Sequence, residues 1–436
     1  VILEPGSYTL QNCGDVAMLQ VAYRRVRHFW PDATIHIVTE APRRLAELCP
    51  GAVPLLAPDD RAPLVSPNFV GRLAAMLPVA TRDRLLAAQT GFAARWPQPT
   101  LRLLARKGQL RNRDHALTMF ADTLSRAQLV AVTGTGMVTD AFRKRAMAFL
   151  TTVRVAIGRG AATVMYSQGL GPVDDPELRR HLEAVLPHVD LLSVREGRHS
   201  PAFVRQFGVP EDRVMVTGDD AIELAYELRR PALGDALGIN VRVAKYAGID
   251  RDATSAVRPV LHEVAARTGA ALLPVPISLR GGADARAIRE LLAGFDERSY
   301  GGASLDTPAG VIEQISRCRL VVTGSYHAAV FALAQGIPAV AIVNSTYYEH
   351  KFAGLASQFG GGCVIVRVGN GFGESLASAI DRLQVDADSL RHPLLDAAAR
   401  QVALSWQAYR RTADLLGRRR TVAEPLRTAR LSRDAV

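Results

Sequence analysis

Residues 320–343 read LVVTGSYHAAVFALAQGIPAVAIV. LVVTG is a short apolar strand, and the helix that follows is closed by Gly336 and then Pro338, the usual pairing of a C-terminal glycine with a proline that prevents continuation. PAVAIV is a second buried strand. The helix AAVFALAQ has no polar face, so it is expected to be covered on all sides. His327 stands at its mouth, where the first turn has unpaired N–H groups and a partial positive charge. There it either bonds a nearby carbonyl as a structural residue or joins those N–H groups in holding an anion.

The same alternation runs outward from this stretch. In the first half VIL, TIHIV, VPLL, LVAVTG, TVMYSQ, DLLSV and RVMVTG read as strands with helices between them. A long helical region rich in Leu, Ala and Arg interrupts them from about Asn68 to Arg126. After the polar link YELRRPALGDAL the pattern restarts with ALGINVRV, AALLPVPIS, LVVTG, PAVAIV and CVIVRV. The expected fold is α/β, two doubly wound Rossmann-like domains facing a cleft. The first would span residues 1–230 with the insertion at 68–126; the second would span 236–417, its last helices packing back, before a flexible basic tail at 418–436. Ligands of such sheets bind beyond the carboxyl ends of the strands, which places the site between the domains.

Composition narrows the function. The 436 residues exceed one ordinary core and fit two domains of about 200 residues each. With 48% apolar and 22% charged residues the chain is globular in type. Neither a membrane-spanning apolar run nor a secretory leader is visible, and the opening on Val1 leaves the true start open. Cys13, Cys49, Cys318 and Cys363 match no metal-binding spacing and are expected as reduced thiols in a cytoplasmic protein.

The net charge of +11 does not read as a nucleic-acid footprint. From Arg418 onward six Arg face two acids, giving 6 − 2 = +4, and the remaining charge is scattered without interleaved aromatics. The tail leaves peripheral contact with anionic lipid open. Only four of the 53 basic residues are lysines: Lys107, Lys144, Lys245 and Lys351. A retained lysine can mark a need for a compact ammonium, although base composition of the gene gives the same bias.

Four loops follow strands at the expected edge. In PGSYTLQNCGDVAM, Asp15 is either a helix N-cap or a substrate group. TGTGMVTD carries Gly134 and Gly136, which fit a tight turn or a close backbone approach to ligand. SQGLGP, containing Gln168, reads as a similar glycine turn. In SVREGRHSPAFVRQFG, Ser200 and Pro201 read as N-cap and first helical residue, which leaves Arg195 between strand and helix. Beyond PAVAIV, NSTYYEHK puts Tyr347, Tyr348 and Lys351 in a loop. Arg195, His327 and Lys351 are thus candidates to converge on one phosphate or carboxylate.

These motifs together, N-x-G-D, G-x-G-M-V-x-D, SVRE…S, GINVR and GSYHAAVFALAQGIPAVAI followed by YYEHK, resemble the polysaccharide pyruvyl transferase family from Asn12 to about Gly361. The resemblance implies a fold like the GT-B glycosyltransferases and transfer of pyruvate from phosphoenolpyruvate to a sugar hydroxyl pair as a ketal. It assigns Arg195, Gly324, Ser325, Tyr326, His327 and Lys351 to the donor, with Arg195, His327 and Lys351 catalytic. Asp15 would orient or deprotonate the acceptor, beside Asn12, Gly134, Gly136 and Gln168. No metal and no cofactor is implied, phosphoenolpyruvate being a co-substrate. Many members carry Arg where this chain has Ser325, which removes one cation. The competing readings are a GT-B glycosyltransferase using a nucleotide-activated sugar and a noncatalytic ligand-binding relative.

Overall fold

The computed structural model describes residues 1–58, 61–64, 78–106, 114–241, 251–295 and 299–431. The expected helical start at Asn68 and the last residue of GINVR, Arg242, lie outside these. Eight strands form the first sheet: β1 (Ile2–Glu4), β2 (His36–Thr39), β3 (Val53–Leu56), β4 (Leu129–Val132), β5 (Thr135–Val138), β6 (Ala162–Leu170), β7 (Leu191–Val194) and β8 (Val214–Val216). Its helices are α1 (Cys13–Phe29), α2 (Pro42–Leu48), α3 (Val79–Arg95), α4 (Pro97–Arg106), α5 (Asp114–Arg126), α6 (Arg143–Arg159), α7 (Pro176–Val185), α8 (Ser200–Arg205) and α9 (Ala221–Glu227). The second sheet is built from β9 (Ala236–Asn240), β10 (Leu272–Pro274), β11 (Cys318–Thr323), β12 (Ala339–Val343) and β13 (Cys363–Arg367). Around it lie α10 (Arg251–Thr268), α11 (Ala283–Leu292), α12 (Pro308–Ile315), α13 (Tyr326–Ala334), α14 (Thr346–Phe359) and α15 (Phe372–Leu431).

The strand orders are β3-β2-β1-β4-β6-β7-β8, with β5 beside β6, and β10-β9-β11-β12-β13. Every pairing between these strands is parallel. The chain is therefore an α/β protein of two Rossmann-like halves. Strand order reverses between β1 and β4 in one sheet and between β9 and β11 in the other, and such switch points open a crevice for ligand. Asn12 caps α1 and Asp15 lies in its first turn beyond β1, Gly136 lies on β5 just beyond β4, and Ser325 and His327 stand at the mouth of α13 beyond β11.

Burial explains α13. All nine of its residues are buried, and it packs on β11, α9 and α15. Side chains such as Phe331 and Leu333, fully removed from water, each contribute about 1.5–3 kcal/mol of transfer free energy. Gly336 adopts φ 74°, the left-handed geometry that ends the helix without a Cβ penalty.

Several connections join the halves, among them a backbone bridge and a returning helix. Cys13 N–H donates to Ile277 O at 2.9 Å and Leu279 N–H to Gln11 O at 2.9 Å, an antiparallel bridge centred on Asn12 and Ser278. Asp284 fixes the second-sheet side of that bridge, accepting from the amides of Ile277 at 3.0 Å and Ser278 at 2.8 Å. A further connection is α15, which returns across the first sheet. There Tyr409 stacks on Tyr166 with centroids 3.9 Å apart and donates to Asp220 at 2.9 Å. The helical backbone of α15 continues to Leu431, into the stretch expected to be a flexible tail from 418, and Arg419 donates to Asp190 at 2.6 Å.

Local assignments differ from expectation in five places, one being TGTGMVTD, where Thr135–Val138 form β5 rather than a loop. Asn12, not Asp15, caps α1, its side chain accepting from the amides of Gly14 and Asp15. SQGLGP is not a glycine turn up to Leu170: Gln168 and Gly169 continue β6, a central strand with all nine residues buried. Ser200 is the first residue of α8 rather than its cap. Tyr347, Tyr348 and Lys351 lie on α14, capped by Ser345, and not in a loop.

Candidate active site

Three side chains singled out from sequence, Arg195, His327 and Lys351, line one small cavity of about 60 Å³ between the sheets. Asn12, Asp15, Gly136, Ser325 and Tyr326 line it too. Arg195 leaves the end of β7, its amide donating to Gln168 O at 3.1 Å, and is 2% exposed. Its guanidinium lies over the Tyr326 ring, 4.1 Å from the centroid, and Lys351 Nζ stands 5.7 Å from the same ring. The aromatic face offers both cations an attractive surface without neutralising them. Burial pushes the Tyr326 phenol well above its ordinary value, so it stays protonated.

Two glycines permit this convergence. A Cβ on Gly136 would stand 2.8 Å from Arg195 Nη2 and 2.9 Å from Lys351 Nζ. A Cβ on Gly14 would stand 2.0 Å from Cγ of His327. The imidazole therefore lies against the first turn of α1 while heading α13, so two helix N-termini meet at one histidine. Backbone donors and positive end charge from both favour an anion there.

Asp219 completes the arrangement and was not singled out from sequence. It follows β8, is 3% exposed, and sends Oδ2 to 3.6 Å from Arg195 Nη1 and 3.7 Å from His327 Nε2. Burial pushes its carboxyl up to about 6, against the opposing pull of Arg195. Burial opposes the charge of Arg195, but Tyr326, Asp219 and Tyr347 outweigh it and hold the guanidinium above its ordinary value. Tyr347 also donates to Gly136 O at 2.8 Å, tying α14 to the first half.

Glu196, the neighbour of Arg195, was likewise missed. Its carboxylate accepts from the amides of Arg198, His199 and Ser200 at 2.7, 2.8 and 2.6 Å, and this shapes the loop before α8. The signal lay in SVRE…S, a carboxylate four residues before a helix opening on serine and proline.

Other expected residues sit elsewhere. Gly134 faces α1, where a Cβ would meet Met18 Sδ at 2.3 Å. Gln168 is fully buried and donates to Thr133 O at 3.0 Å and Tyr166 O at 2.6 Å, bracing β4 and β6. Neither lines the cavity, and both are accounted for by packing. Gly324 donates its amide to Asn240 O at 2.9 Å, which ties the mouth of α13 to β9.

Larger cavities open on either side. One of about 850 Å³, lined by Asn12, Asp15, Lys144, Arg145 and Arg280 among others, shares Asn12, Asp15, Met137 and Phe142 with the small cavity. Another of about 290 Å³ shares Gly136, Arg195, Tyr347 and Lys351 with it. The four cysteines are buried and free. Among the described residues no helix is long and apolar enough to cross a membrane.

A family model described as polysaccharide pyruvyl transferase matches residues 12–346. Comparison with curated protein sequences gives no match. Among solved structures the chain is similar to a UDP-GlcNAc 2-epimerase from Neisseria meningitidis, with TM-score 0.52 and 9% identity over 92% of this chain and 98% of that one. It is also similar to a glycosyltransferase from Rickettsia africae, with TM-score 0.50 and 10% identity over 95% and 98% of the two chains. The wall teichoic acid polymerase TagF gives TM-score 0.50 and 9% identity over 96% and 88%. At such identities the likeness concerns the fold, two Rossmann-like domains in the GT-B manner.

Proposed function

The chain belongs to the polysaccharide pyruvyl transferase family, and from that premise we propose that it moves the pyruvyl group of phosphoenolpyruvate onto a hydroxyl pair of a sugar, forming a ketal and releasing phosphate. The observation that carries this reading is the meeting of Arg195, Lys351 and His327 at one cavity between two helix N-termini. Phosphoenolpyruvate offers two anionic groups. Arg195 suits the planar carboxylate, and Lys351 the phosphate as a point charge.

The reaction needs the methylene carbon protonated so that the adjacent carbon bearing the phosphate oxygen becomes electrophilic. His327 supplies that proton, and an ionised Asp219 gives the protonated imidazole its counter-charge. Asp15 takes the proton of the first sugar hydroxyl as its oxygen bonds to that carbon. The carbon–oxygen bond to phosphate then breaks, the second hydroxyl adds, and its proton leaves with phosphate. No cofactor or metal is assigned to any step.

Ser325 lines the cavity beside these cations. The cluster of Arg195 and Lys351 over Tyr326 supports donor binding without an arginine at that position. The test is phosphate release from phosphoenolpyruvate in the presence of pyranosides with free hydroxyl pairs, together with detection of a ketal methyl group by NMR. The reading expects both signals to require donor and sugar together and to vanish in Arg195→Ala. Release of nucleoside diphosphate from a nucleotide sugar instead would favour glycosyl transfer.

A further inference from the structure

We propose that the 290 Å³ cavity behind Gly136 is a separate phosphate subsite, reaching the reaction centre from the side opposite the acceptor. Its size falls near the lower bound for metabolite sites, about 300 Å³. The basic, acidic and imidazole side chains lining it are Arg195, Arg198, His199, His350, Lys351 and Glu196. With both histidines neutral the formal sum is 3 − 1 = +2. The single acid is already engaged, since Glu196 accepts from three backbone amides and the Ser200 hydroxyl.

The two imidazoles come from opposite halves of the molecule, His199 before α8 and His350 on α14. They stack with centroids 4.5 Å apart and planes at 14°. Nε2 of His199 is buried and has no hydrogen-bond partner among the described residues. A ring nitrogen left without a partner at a basic cavity is satisfied by an acceptor oxygen from a ligand.

Topology separates this cavity from the other large one. The 290 Å³ and 850 Å³ cavities have no lining residue in common, yet each shares four with the small cavity between them. Arg195 and Lys351 face both the reaction centre and the basic cavity. A phosphate freed beside them can pass to Arg198, His199 and His350 while a sugar occupies the other side. Use of the subsite for the donor's phosphate rests on the pyruvyl transfer reading; affinity for phosphate itself does not.

The experiment is calorimetric titration of inorganic phosphate into the full chain and into Arg198→Gln and His350→Gln, both exposed positions whose replacement leaves the core untouched. Phosphate binding at least about tenfold weaker in each variant, with an unchanged melting temperature, is expected; tenfold corresponds to about 1.4 kcal/mol. Unchanged phosphate affinity in both variants overturns the subsite. Phosphate titration requires no turnover, so absence of pyruvyl transfer with phosphate binding intact would count against the function and leave the subsite standing.

Discussion

Nε2 of His327 lies 3.7 Å from Oδ2 of Asp219, an imidazole from the mouth of α13 facing a carboxylate from the end of β8. The same carboxylate oxygen lies 3.6 Å from Arg195. One buried acid thus positions the proposed proton donor and the proposed donor-binding guanidinium together, across the line where the two sheets meet.

That shared contact separates two kinds of variant. His327→Gln removes the acid and is expected to lower kcat by about 10²–10⁴-fold, with a smaller change in KM for phosphoenolpyruvate. Arg195→Lys keeps the charge but loses the fork geometry, so its main effect should be a raised KM. Steady-state kinetics on the pair checks the split; a pure kcat effect for Arg195→Lys would contradict the assignment.

The pH dependence follows from Asp219. Its carboxyl is pushed from 3.8 up to about 6, chiefly by burial. The folded chain holds this proton more tightly than the unfolded chain, so ionisation costs stability as pH rises between those values, and the cost is complete above about 6. Asp219→Asn is therefore expected to melt higher than the parent at neutral pH, with the difference shrinking towards pH 4. Transfer activity should show the reverse preference, rising in the parent as pH passes about 6 and being lost in the variant. Thermal melts and pH–rate profiles on the same two proteins test both halves.

Gly136 and Gly14 offer a contrast in what an added methyl meets. At neither is φ in the left-handed region, so only space matters. At Gly136 the new Cβ would press on the tips of Arg195 and Lys351, at 2.8 and 2.9 Å, which are flexible enough to move aside. Gly136→Ala should keep its melting temperature and lose roughly tenfold or more in donor affinity, about 1.4 kcal/mol. At Gly14 the Cβ would fall 2.0 Å from Cγ and 2.6 Å from Cβ of His327, atoms that cannot swing away. Gly14→Ala should lose both activity and stability, the latter by about 1–3 kcal/mol.

Away from the site, Arg25 anchors α1 to α9 and α15. It is 1% exposed, pairs with Glu223, lies 3.6 Å from Asp220 and donates to Ser405 at 2.5 Å. Arg25→Ala leaves buried Asp220 without its counter-charge and Glu223 with Arg24 alone, and should cost about 3–5 kcal/mol in denaturant unfolding. Among the described residues, the partners of Arg25 are Asp220, Glu223, Ser405, Trp406 and Tyr409, none of which lines a cavity of the site, so donor affinity of the folded variant should be unchanged.

Punctuation made the fold legible. Gly336 and Pro338 bounded α13, and the ends of the apolar strands DLLSV and LVVTG marked the sheet edges at which Arg195 and His327 sit. Another such strand, RVMVTG, stood before Asp219, yet nothing local separates Asp219 from Asp220. The first faces Arg195 and His327 and the second faces Arg25 and Tyr409, a distinction that only packing makes. Glycine density misread SQGLGP, because pairing with strands on both sides keeps β6 extended through Leu170. Lys351 was placed in a loop although Ser345 supplied an N-cap signal, its side chain accepting from the Tyr348 amide. The approach of Gly14 to His327 joins residues from different halves and had no trace in local sequence.

Titration of phosphoenolpyruvate into the full chain by calorimetry, beside His327→Ala, Arg195→Ala and a panel of nucleotide sugars, tests the central claim most directly. The account predicts saturable binding of phosphoenolpyruvate that weakens in both variants, with the nucleotide sugars inert. Binding of a nucleotide sugar with none of phosphoenolpyruvate would contradict it and leave this cleft with glycosyl transfer chemistry.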